Sequence, residues 1–304
     1  MNFLKTYTLD NGILKAVFLS YGAILHQLWV KDKNGEQVNV IQGLESPKDY
    51  LTDTWSRGAI IGRYAGRLEN PIQIEGKKIP IDHQNGVLLH GGQNGWSTQP
   101  WKVEHNAKPN SFQFTYHCPD GTAGFPGNVR TQICYQLKDN QLCINYQATT
   151  DTPTHINLTN HAYFNLNGNS PIDNHQLQIY ADRVLELKNT LVPTGKMISV
   201  KNTAFDYRRK KNIGQHRLDD YFVINSTKRE VASLYLPASG IEMKTYTNQP
   251  GVVVFTPPHF DAICFETQKF SNAPNIPSFP STLLRPEAVY EQKTKYVFSL
   301  KNEL

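Results

Sequence analysis

The chain has 304 residues, of which 39% are hydrophobic and 11% aromatic, and its formal net charge is +5. The length would permit two domains, but all-β folds of this size often form one. No stretch approaches the roughly 18 apolar residues that a membrane span needs. The one tight basic run, RRKK at residues 208–211, has no nucleic-acid recognition motif beside it, so we interpret it as a solvated loop and expect neither a membrane nor a nucleic-acid partner.

The chain begins with MNFLKTYTLDNG, which reaches a turn signal at residues 10–12 before an apolar signal-peptide core could form. This start favours a cytoplasmic protein. Short alternating apolar runs then follow one another, at residues 13–19, 113–117, 131–137, 142–148, 177–181, 251–256 and 296–300. Clusters of glycine, proline, asparagine and aspartate bound them, as expected of turns between strands.

Helical periodicity is nearly absent, although residues 46–51 predict one short helical turn with Ser46 as its cap. We therefore predict an all-β fold, a large antiparallel β-sandwich with very little helix. We find no linker or repeat, and expect residues 1–304 to form a single domain.

The four cysteines are Cys118, Cys134, Cys143 and Cys264, and none forms a CxxC pair that would indicate a zinc or redox motif. A hairpin turn at residues 139–140 would place Ile133, Tyr135 and Leu137 opposite Tyr146, Ile144 and Leu142 on one apolar face. Cys134 and Cys143 would then lie diagonally on the other face. We interpret the cysteines as reduced thiols.

The densest polar segment is NLTNHAYFNLNG at residues 157–168, which sets His161 among three asparagines and two aromatic residues. Amides can donate and accept hydrogen bonds, and histidine exchanges protons near neutral pH, so the mixture suits a pocket for a polyol. A core histidine satisfied by neighbouring amides would give the same pattern.

Two further segments combine polar groups with glycine. In GRYAGR, at residues 62–67, the Arg67 guanidinium could donate two hydrogen bonds to adjacent hydroxyl groups of a ligand. Alternatively, both arginines could simply be solvated. In LLHGG, at residues 88–92, the glycines would allow close approach of a ligand to His90. A structural histidine is the alternative at that position.

Carboxylates appear in two strand-like segments. Because adjacent strand residues face opposite ways, only one of Asp219 and Asp220 in RLDDYF can face a pocket. Glu266 in ICFETQKF interrupts an apolar strand after Ile263 and Phe265. A glutamate there should lose solvent, and the resulting rise in its pKa would make it a better base at neutral pH. Alternatively, Glu266 faces outward at the strand end.

Together these motifs resemble the aldose 1-epimerase family, the galactose mutarotases. In the family's order the chain carries GRYAGR, LLHGG, GFPGNV at residues 124–129, NLTNHAYFNLNG, LVPTGK at residues 191–196, and CFETQ followed by FPSTLLRPEAVY. The N-terminal YTLDNG and SYGAILHQLWVKDKNG also match, so the resemblance covers nearly the whole chain. It implies a large antiparallel β-sandwich, in agreement with the strand pattern.

The resemblance also implies an activity without cofactor or metal: interconversion of the α and β anomers of a hexose, galactose or glucose, by acid–base ring opening and reclosure. Glu266 matches the family's general base and His161 its general acid. His90 matches a second histidine near the ring oxygen, while Arg67 and Asp219 match residues that bind sugar hydroxyls. The implied partner is a small sugar, and the chain would be a monomer or homodimer.

The chain departs from the family pattern at several positions. Gly66 stands in place of asparagine, Asp220 in place of histidine, and Val253 in place of a residue that is polar in some members. Ser271-Asn272 stands in place of Pro-Asp, and Pro286-Glu287 in place of Pro-Gly. The proposed acid and base are intact, so the reaction class is preserved. The preferred aldose stays open, and a different hexose, a pentose or weak binding would be compatible with these changes.

Four other kinds of site are alternatives. A glycosidase would need two carboxylates about 5–10 Å apart, for which Glu266 and Asp219 are candidates, but the histidines would then have no role. A non-catalytic module would bind sugar without exchanging anomers, and a sugar-phosphate epimerase would use the spare arginines at residues 208–209. A metal site from His155, His161 and His259 lacks any metal-ligand spacing.

Overall fold

The computed structural model describes residues 4–225 and 230–301. In these ranges the chain forms the following strands: β1 (Thr6–Asp10), β2 (Lys15–Leu19), β3 (Ile24–Lys31), β4 (Gln37–Asn39), β5 (Ile60–Ile61), β6 (Arg67–Glu69), β7 (Ile72–Ile74), β8 (Lys77–Ile79), β9 (Val87–Leu89), β10 (Lys102–His105), β11 (Ser111–Cys118), β12 (Val129–Lys138), β13 (Gln141–Thr150), β14 (Thr154–His155), β15 (Thr159–Asn160), β16 (Tyr163–Phe164), β17 (Gln176–Ile179), β18 (Ala181–Leu187), β19 (Pro193–Ser199), β20 (Lys211–Asn212), β21 (Asp219–Ile224), β22 (Glu230–Tyr235), β23 (Ile241–Thr247), β24 (Gly251–Phe255), β25 (Ile263–Gln268), β26 (Leu283–Leu284) and β27 (Tyr290–Leu300).

Helix is confined, in the described ranges, to short 3₁₀ turns at Pro47–Leu51, Trp96–Thr98, Thr122–Gly124, Ile172–Asn174 and Ala273–Asn275. Ser46 caps the first of them, because its side chain accepts a hydrogen bond from the Lys48 backbone N–H. The predicted short turn is therefore confirmed. None of these turns has the length or apolar content with which a helix could cross a membrane.

The strands assemble into three main antiparallel sheets. The largest has nine strands in the order β10-β11-β12-β13-β27-β23-β22-β17-β20, the second has six in the order β16-β25-β24-β21-β18-β19, and the third has four in the order β1-β2-β3-β4. Short two-stranded ribbons, β5 with β15, β6 with β9, β7 with β8 and β14 with β26, connect the sheets. The predicted all-β sandwich is confirmed.

The six-stranded sheet has two different faces because strand side chains alternate. One face carries apolar side chains that are fully buried in the main core, such as Phe222, Val254 and Phe265. They lie against the nine-stranded sheet, where the Tyr296 hydroxyl donates a hydrogen bond to the Phe265 carbonyl oxygen at 3.3 Å. The side chains of the opposite face point away from this core and can line a binding site.

The hairpin of β12 and β13 has the predicted register. Ile133 lies opposite Tyr146, and Tyr135 and Leu137 lie opposite Ile144 and Leu142. Asp139 adopts a left-handed conformation at the turn, with φ of 50°. All four cysteines are free thiols, as predicted.

One predicted strand is divided between two sheets. The apolar run 177–181 spans β17, which belongs to the nine-stranded sheet, and the start of β18, which belongs to the six-stranded sheet. The backbone N–H of Tyr180, between them, bonds to the Val231 carbonyl oxygen, and the pairing of β18 shifts register after Ala181. Apolar periodicity continues across this corner, because both segments are buried, so the sequence pattern does not reveal the change of sheet.

The first arginine of GRYAGR is a structural clamp. Arg63 is only 2% exposed and lies near the 124–129 segment. Its guanidinium donates to the following acceptors: the carbonyl oxygens of Pro119, Phe125 and Pro126, Thr154 Oγ1 and Cys118 Sγ. Buried carbonyl groups need partners, so this side chain supports the loop rather than meeting solvent.

We predict that Arg63→Met lowers the free energy of unfolding by about 2–4 kcal/mol, because it leaves several buried acceptors without donors. Urea denaturation would measure the change. Arg130→Met removes an exposed arginine from β12 and serves as the matched control, with an expected change within about 0.5 kcal/mol. Equal stability of the two variants would contradict the clamp.

Candidate active site

A cleft opens on the outer face of the six-stranded sheet. Its cavity volume is about 210 Å³, below the roughly 300–1,000 Å³ of pockets for drug-sized ligands, which suits one small ring. Its polar lining comprises Thr54, Ser56, Arg67, His90, His161, Asp219, Glu266 and Ser271. Its apolar walls comprise Trp55, Leu89, Tyr163, Leu187, Leu191, Pro193, Tyr221, Val253 and Phe255. Polar groups among aromatic faces are the chemistry that binds a polyol.

The five site residues predicted from the sequence all line this one cleft, although they come from five separate segments. Arg67 begins β6 and His90 follows β9, and these two strands pair with Arg67 opposite Leu89. His161 lies between β15 and β16, Asp219 begins β21 and Glu266 lies within β25. The ribbon of β6 with β9, the ribbon of β5 with β15 and the six-stranded sheet therefore bring together residues as far apart in sequence as Arg67 and Glu266.

Glu266 occupies its place because of strand register. It lies opposite Val253 on β24, which in turn lies opposite Tyr221 on β21, so the three side chains share the cleft face. Glu266 is only 3% exposed. Burial, and secondarily the negative charge of Asp219, raise the pKa of Glu266 to about 8, while Arg67 opposes part of the rise.

His161 is the neighbour of Glu266. Its Nε2 lies 3.5 Å from Glu266 Oε1, and both side chains are buried. Tyr163 stacks on the imidazole with ring centroids 4.9 Å apart, which restrains the orientation of the ring. Burial lowers the pKa of His161 to about 4, and a hydrogen bond to the residue's own backbone opposes part of this drop.

The two ring nitrogens of His161 have different neighbours. Nδ1 lies 3.5 Å from the sulfur of Cys264, and Nε2 faces Glu266. Between pH 4 and 8 the two groups together hold one exchangeable proton, which burial keeps on the carboxyl group. Transfer of that proton across 3.5 Å creates a carboxylate and an imidazolium.

His90 has the complementary tautomer. Its Nδ1 accepts a hydrogen bond from the Gly66 backbone N–H at 3.2 Å, so the neutral ring carries its hydrogen on Nε2. Burial, with smaller effects from His161 and Arg67, lowers the pKa of His90 well below its ordinary value. His90 meets the His161 ring edge to face, with centroids 5.3 Å apart. It can therefore donate one hydrogen bond into the cleft.

The glycines after His90 allow two backbone segments to approach each other closely. Gly91 has φ of +82°, and a Cβ atom there would lie 2.1 Å from the Gly62 carbonyl oxygen. The close approach that the LLHGG pattern predicts is thus made to the chain segment that precedes Arg63, not to the cleft. It holds the loop carrying His90 against the loop carrying Arg67.

Three potential metal ligands also meet in the cleft. The donor atoms of His90, His161 and Glu266 lie within 4.8 Å of one another, which is close enough to surround an ion. However, a histidine nitrogen binds metal through its lone pair, and His90 Nε2 carries the hydrogen because Nδ1 is occupied by Gly66. This tautomer fits a hydrogen-bond donor. The alternative set of three histidines does not fit either, because both nitrogens of His155 are bonded, to Thr282 and Gln73.

Asp219 and Arg67 form an ion pair in the cleft, with Arg67 Nη2 3.3 Å from Asp219 Oδ2. Asp220 does not line the cleft. It projects to the other side of β21, as strand alternation requires, and its carboxylate accepts a hydrogen bond from the Asp219 backbone N–H. Burial raises the pKa of Asp220 to about 6.

The asparagines of the 157–168 segment act as supports. Asn157 donates to the carbonyl oxygens of Ala65 and Lys269 and accepts from the Lys269 N–H, so it ties the Arg67 loop to the end of β25. Asn160 donates to the Gly58 carbonyl oxygen at 2.7 Å. Asn165 donates to the carbonyl oxygens of Ser170 and Asp261. The dense amides of this motif therefore connect backbone segments around His161.

Sequence reasoning missed most of the cleft's apolar wall. Phe255 lies two residues from Val253 on β24, and Tyr221 lies two residues from Asp219 on β21. Because alternate strand residues share a face, a cleft position for Val253 or Asp219 predicts the same face for Phe255 or Tyr221. Trp55, which stacks near Phe255 with ring centroids 6.4 Å apart, comes from an irregular segment that carries no such signal.

The raised pKa of Glu266 predicts a stability change with pH. A carboxyl group whose folded-state pKa is raised stabilises the folded protein fully below its unfolded pKa of 4.5, and this contribution is lost as pH rises through about 8. Glu266→Gln removes the titration. Relative to wild type, its free energy of unfolding should therefore increase by about 2–4 kcal/mol between pH 5 and pH 9. Urea denaturation at the two pH values would test this; a constant difference would contradict the shift.

Comparison with known proteins identifies the family of the chain. Residues 5–297 match the family model described as aldose 1-epimerase. The galactose mutarotase of Sus scrofa is 33% identical over 98% of this chain and 94% of its own length, and the aldose 1-epimerase of Escherichia coli K12 is 30% identical over 95% and 93%. The solved structure of an aldose epimerase homologue from C. elegans has a TM-score of 0.93 and 31% identity, covering 98% of this chain and 100% of that one. The resemblance predicted from the motifs is confirmed, and the chain belongs to the aldose 1-epimerase family.

Proposed function

We propose that Glu266 and His161 exchange the protons by which this mutarotase interconverts the α and β anomers of an aldose. The observation that carries the proposal is the buried contact of 3.5 Å between a carboxyl group and an imidazole whose pKa values are shifted in opposite directions. Groups with separated pKa values are suited to act as an acid and base pair. Family membership supports the isomerase activity itself.

The reaction needs one proton removed and one supplied. With the proton on His161, the Glu266 carboxylate takes the proton of the C1 hydroxyl, and the freed electron pair forms the C1 carbonyl. The bond between C1 and the ring oxygen breaks, and His161 Nε2 protonates that oxygen. Rotation about C1–C2 and reclosure, with the two groups exchanging roles, give the other anomer.

The remaining polar groups have positioning roles in this proposal. His90 donates from Nε2 to the ring oxygen, because its Nδ1 is already an acceptor for Gly66. The Arg67 and Asp219 pair binds ring hydroxyls as a donor and an acceptor. The aromatic faces of Trp55, Tyr163 and Phe255 contact the sugar's C–H groups. We propose a hexose, galactose or glucose, as substrate.

A sugar phosphate suits the cleft less well. Arg67 is the arginine among the described residues that line it, and it is already paired with Asp219. Arg208, at the start of the basic run, forms ion pairs with Asp206 and Asp182 outside this cleft. A phosphate group would also meet the carboxyl groups of Asp219 and Glu266, so the electrostatics favour a neutral sugar.

We further propose that the protein works in the cytoplasm. All four cysteines are free thiols, and Cys118 and Cys264 are buried. Unpaired cysteines suit a reducing compartment. Cell fractionation with compartment markers would test the location, and recovery with a secreted or periplasmic fraction would reject it.

We predict that wild-type protein accelerates the mutarotation of freshly dissolved α-D-galactose or α-D-glucose, measured by polarimetry. Glu266→Gln and His161→Gln should each lower kcat by about 10²–10⁴-fold, because each removes a group that transfers a proton. No acceleration by wild type over a panel of common hexoses and pentoses would reject the enzyme, and hexose binding without acceleration would leave a carbohydrate-binding module.

Asp219 and Asp220 provide the matched control for substrate binding. Asp219→Asn should raise KM by about 10-fold, since it removes a charged hydrogen-bond acceptor from the cleft. Asp220→Asn changes the neighbouring carboxylate on the opposite face and should leave kcat/KM within about twofold. Equal effects of the two substitutions would contradict a binding role for Asp219.

The one-proton pair predicts a bell-shaped dependence of kcat/KM on pH. Activity should be lost below about 4, where His161 and Glu266 hold two protons, and above about 8, where they hold none. The apparent pKa values on the acid and alkaline sides of this profile describe the coupled pair, not either residue alone. Initial rates over pH 3.5–9.5, corrected for the spontaneous reaction, would measure them. A single limb near 6.5, the ordinary pKa of histidine, would contradict the coupled pair.

A further inference from the structure

Gly66 and Ser271 meet at the floor of the cleft, and both line it. Gly66 has φ of +79°, and a Cβ atom there would lie 2.2 Å from Ser271 Oγ and 3.0 Å from Ser271 Cβ. A side chain at position 66 and the serine hydroxyl therefore cannot occupy the same space.

Gly66 cannot move away from Ser271, because its backbone is held on both sides. Its N–H donates to His90 Nδ1 at 3.2 Å, and its carbonyl oxygen accepts from the His90 backbone N–H at 3.1 Å. The space above Gly66 is thus fixed relative to His90. Whatever group fills that space is held in a defined position against a bound sugar.

The group that fills it is the Ser271 hydroxyl. With the Gln268 amide oriented so that its Oε1 has no partner, Ser271 Oγ accepts a hydrogen bond from Gln268 Nε2 at 3.1 Å, and Gln268 is fully buried at the end of β25. No residue of the described ranges accepts a bond from the serine hydroxyl. Ser271 itself is only 6% exposed. In this arrangement the buried hydroxyl at the cleft wall lacks an acceptor until a ligand oxygen enters the cleft.

We propose that Ser271 is a substrate-binding residue that donates a hydrogen bond to one sugar hydroxyl and so contributes to the choice of aldose. The hydroxyl it binds is neither the anomeric one nor the ring oxygen, since Glu266, His161 and His90 face those atoms. It lies on the Gly66 side of the cleft, next to the hydroxyls bound by Arg67. This inference rests on the proposed mutarotase function.

The test combines Ser271→Ala with a series of galactose analogues that each lack one hydroxyl, at C2, C3, C4 or C6. For galactose, KM should rise about 3- to 10-fold with kcat within about twofold, because one neutral hydrogen bond is lost in both the ground and transition states. For one analogue the substitution should change KM by less than about twofold, because that analogue lacks the bound hydroxyl.

Two further variants separate the hydroxyl's role from its volume. Ser271→Cys keeps the shape but has a weak donor, so it should behave as Ser271→Ala does. Ser111→Ala removes an equally buried serine hydroxyl from β11, bonded to the Lys108 carbonyl oxygen and outside the cleft. It should change KM for none of the sugars.

An equal rise in KM for galactose and all four analogues would overturn the proposal, since it would show a structural role. An unchanged KM for galactose would overturn it as well. If wild type proves inactive, dissociation constants from the change in intrinsic tryptophan fluorescence replace KM in the same comparison, since Trp55 lines the cleft. The proposed function would then fail, while the assignment of Ser271 would still be accepted or rejected by binding.

Discussion

A carboxyl group and an imidazole buried side by side are the constraint on which the rest of this structure depends. Charging either of them alone in a site this dry costs free energy, and burial moves both pKa values toward the neutral forms. The proton they share can pass between them without changing the net charge of the cleft. In the proposed function, that property lets one pair of side chains act as acid and base in either direction of a reversible reaction.

The surrounding architecture keeps this contact in place. Strand register sets Glu266, stacking by Tyr163 restrains His161, and Asn157 ties the loop of Arg67 to the end of β25. Arg63 secures the neighbouring loop from within the protein. The motifs that looked like ligand-binding sequences are therefore mixed, since each has members that face the cleft and members that hold the backbone. GRYAGR shows this most clearly, with Arg63 as a clamp and Arg67 in the cleft.

Much of the architecture could be predicted from the chain alone. The hairpin register of β12 and β13 follows from the alternation of apolar residues, which has a period of two in any strand, and the cap at Ser46 follows from local hydrogen bonding. The break in the run 177–181 could not be predicted, because buried strands in two different sheets carry the same apolar pattern. The contact between Gly66 and Ser271 was also hidden, because it joins loops far apart in sequence.

By itself, the sequence determined the fold class, the family and the five candidate residues, because periodicity and ordered motifs are local properties of the chain. Only the tertiary structure decided which member of each motif faces the cleft, how far His161 lies from Glu266, and which nitrogen of His90 carries a hydrogen. The reason is physical: burial, distance and tautomer depend on neighbours that the chain brings together only when it folds. Asp219 and Asp220 illustrate the difference, as equal residues in sequence that one strand turns to opposite faces.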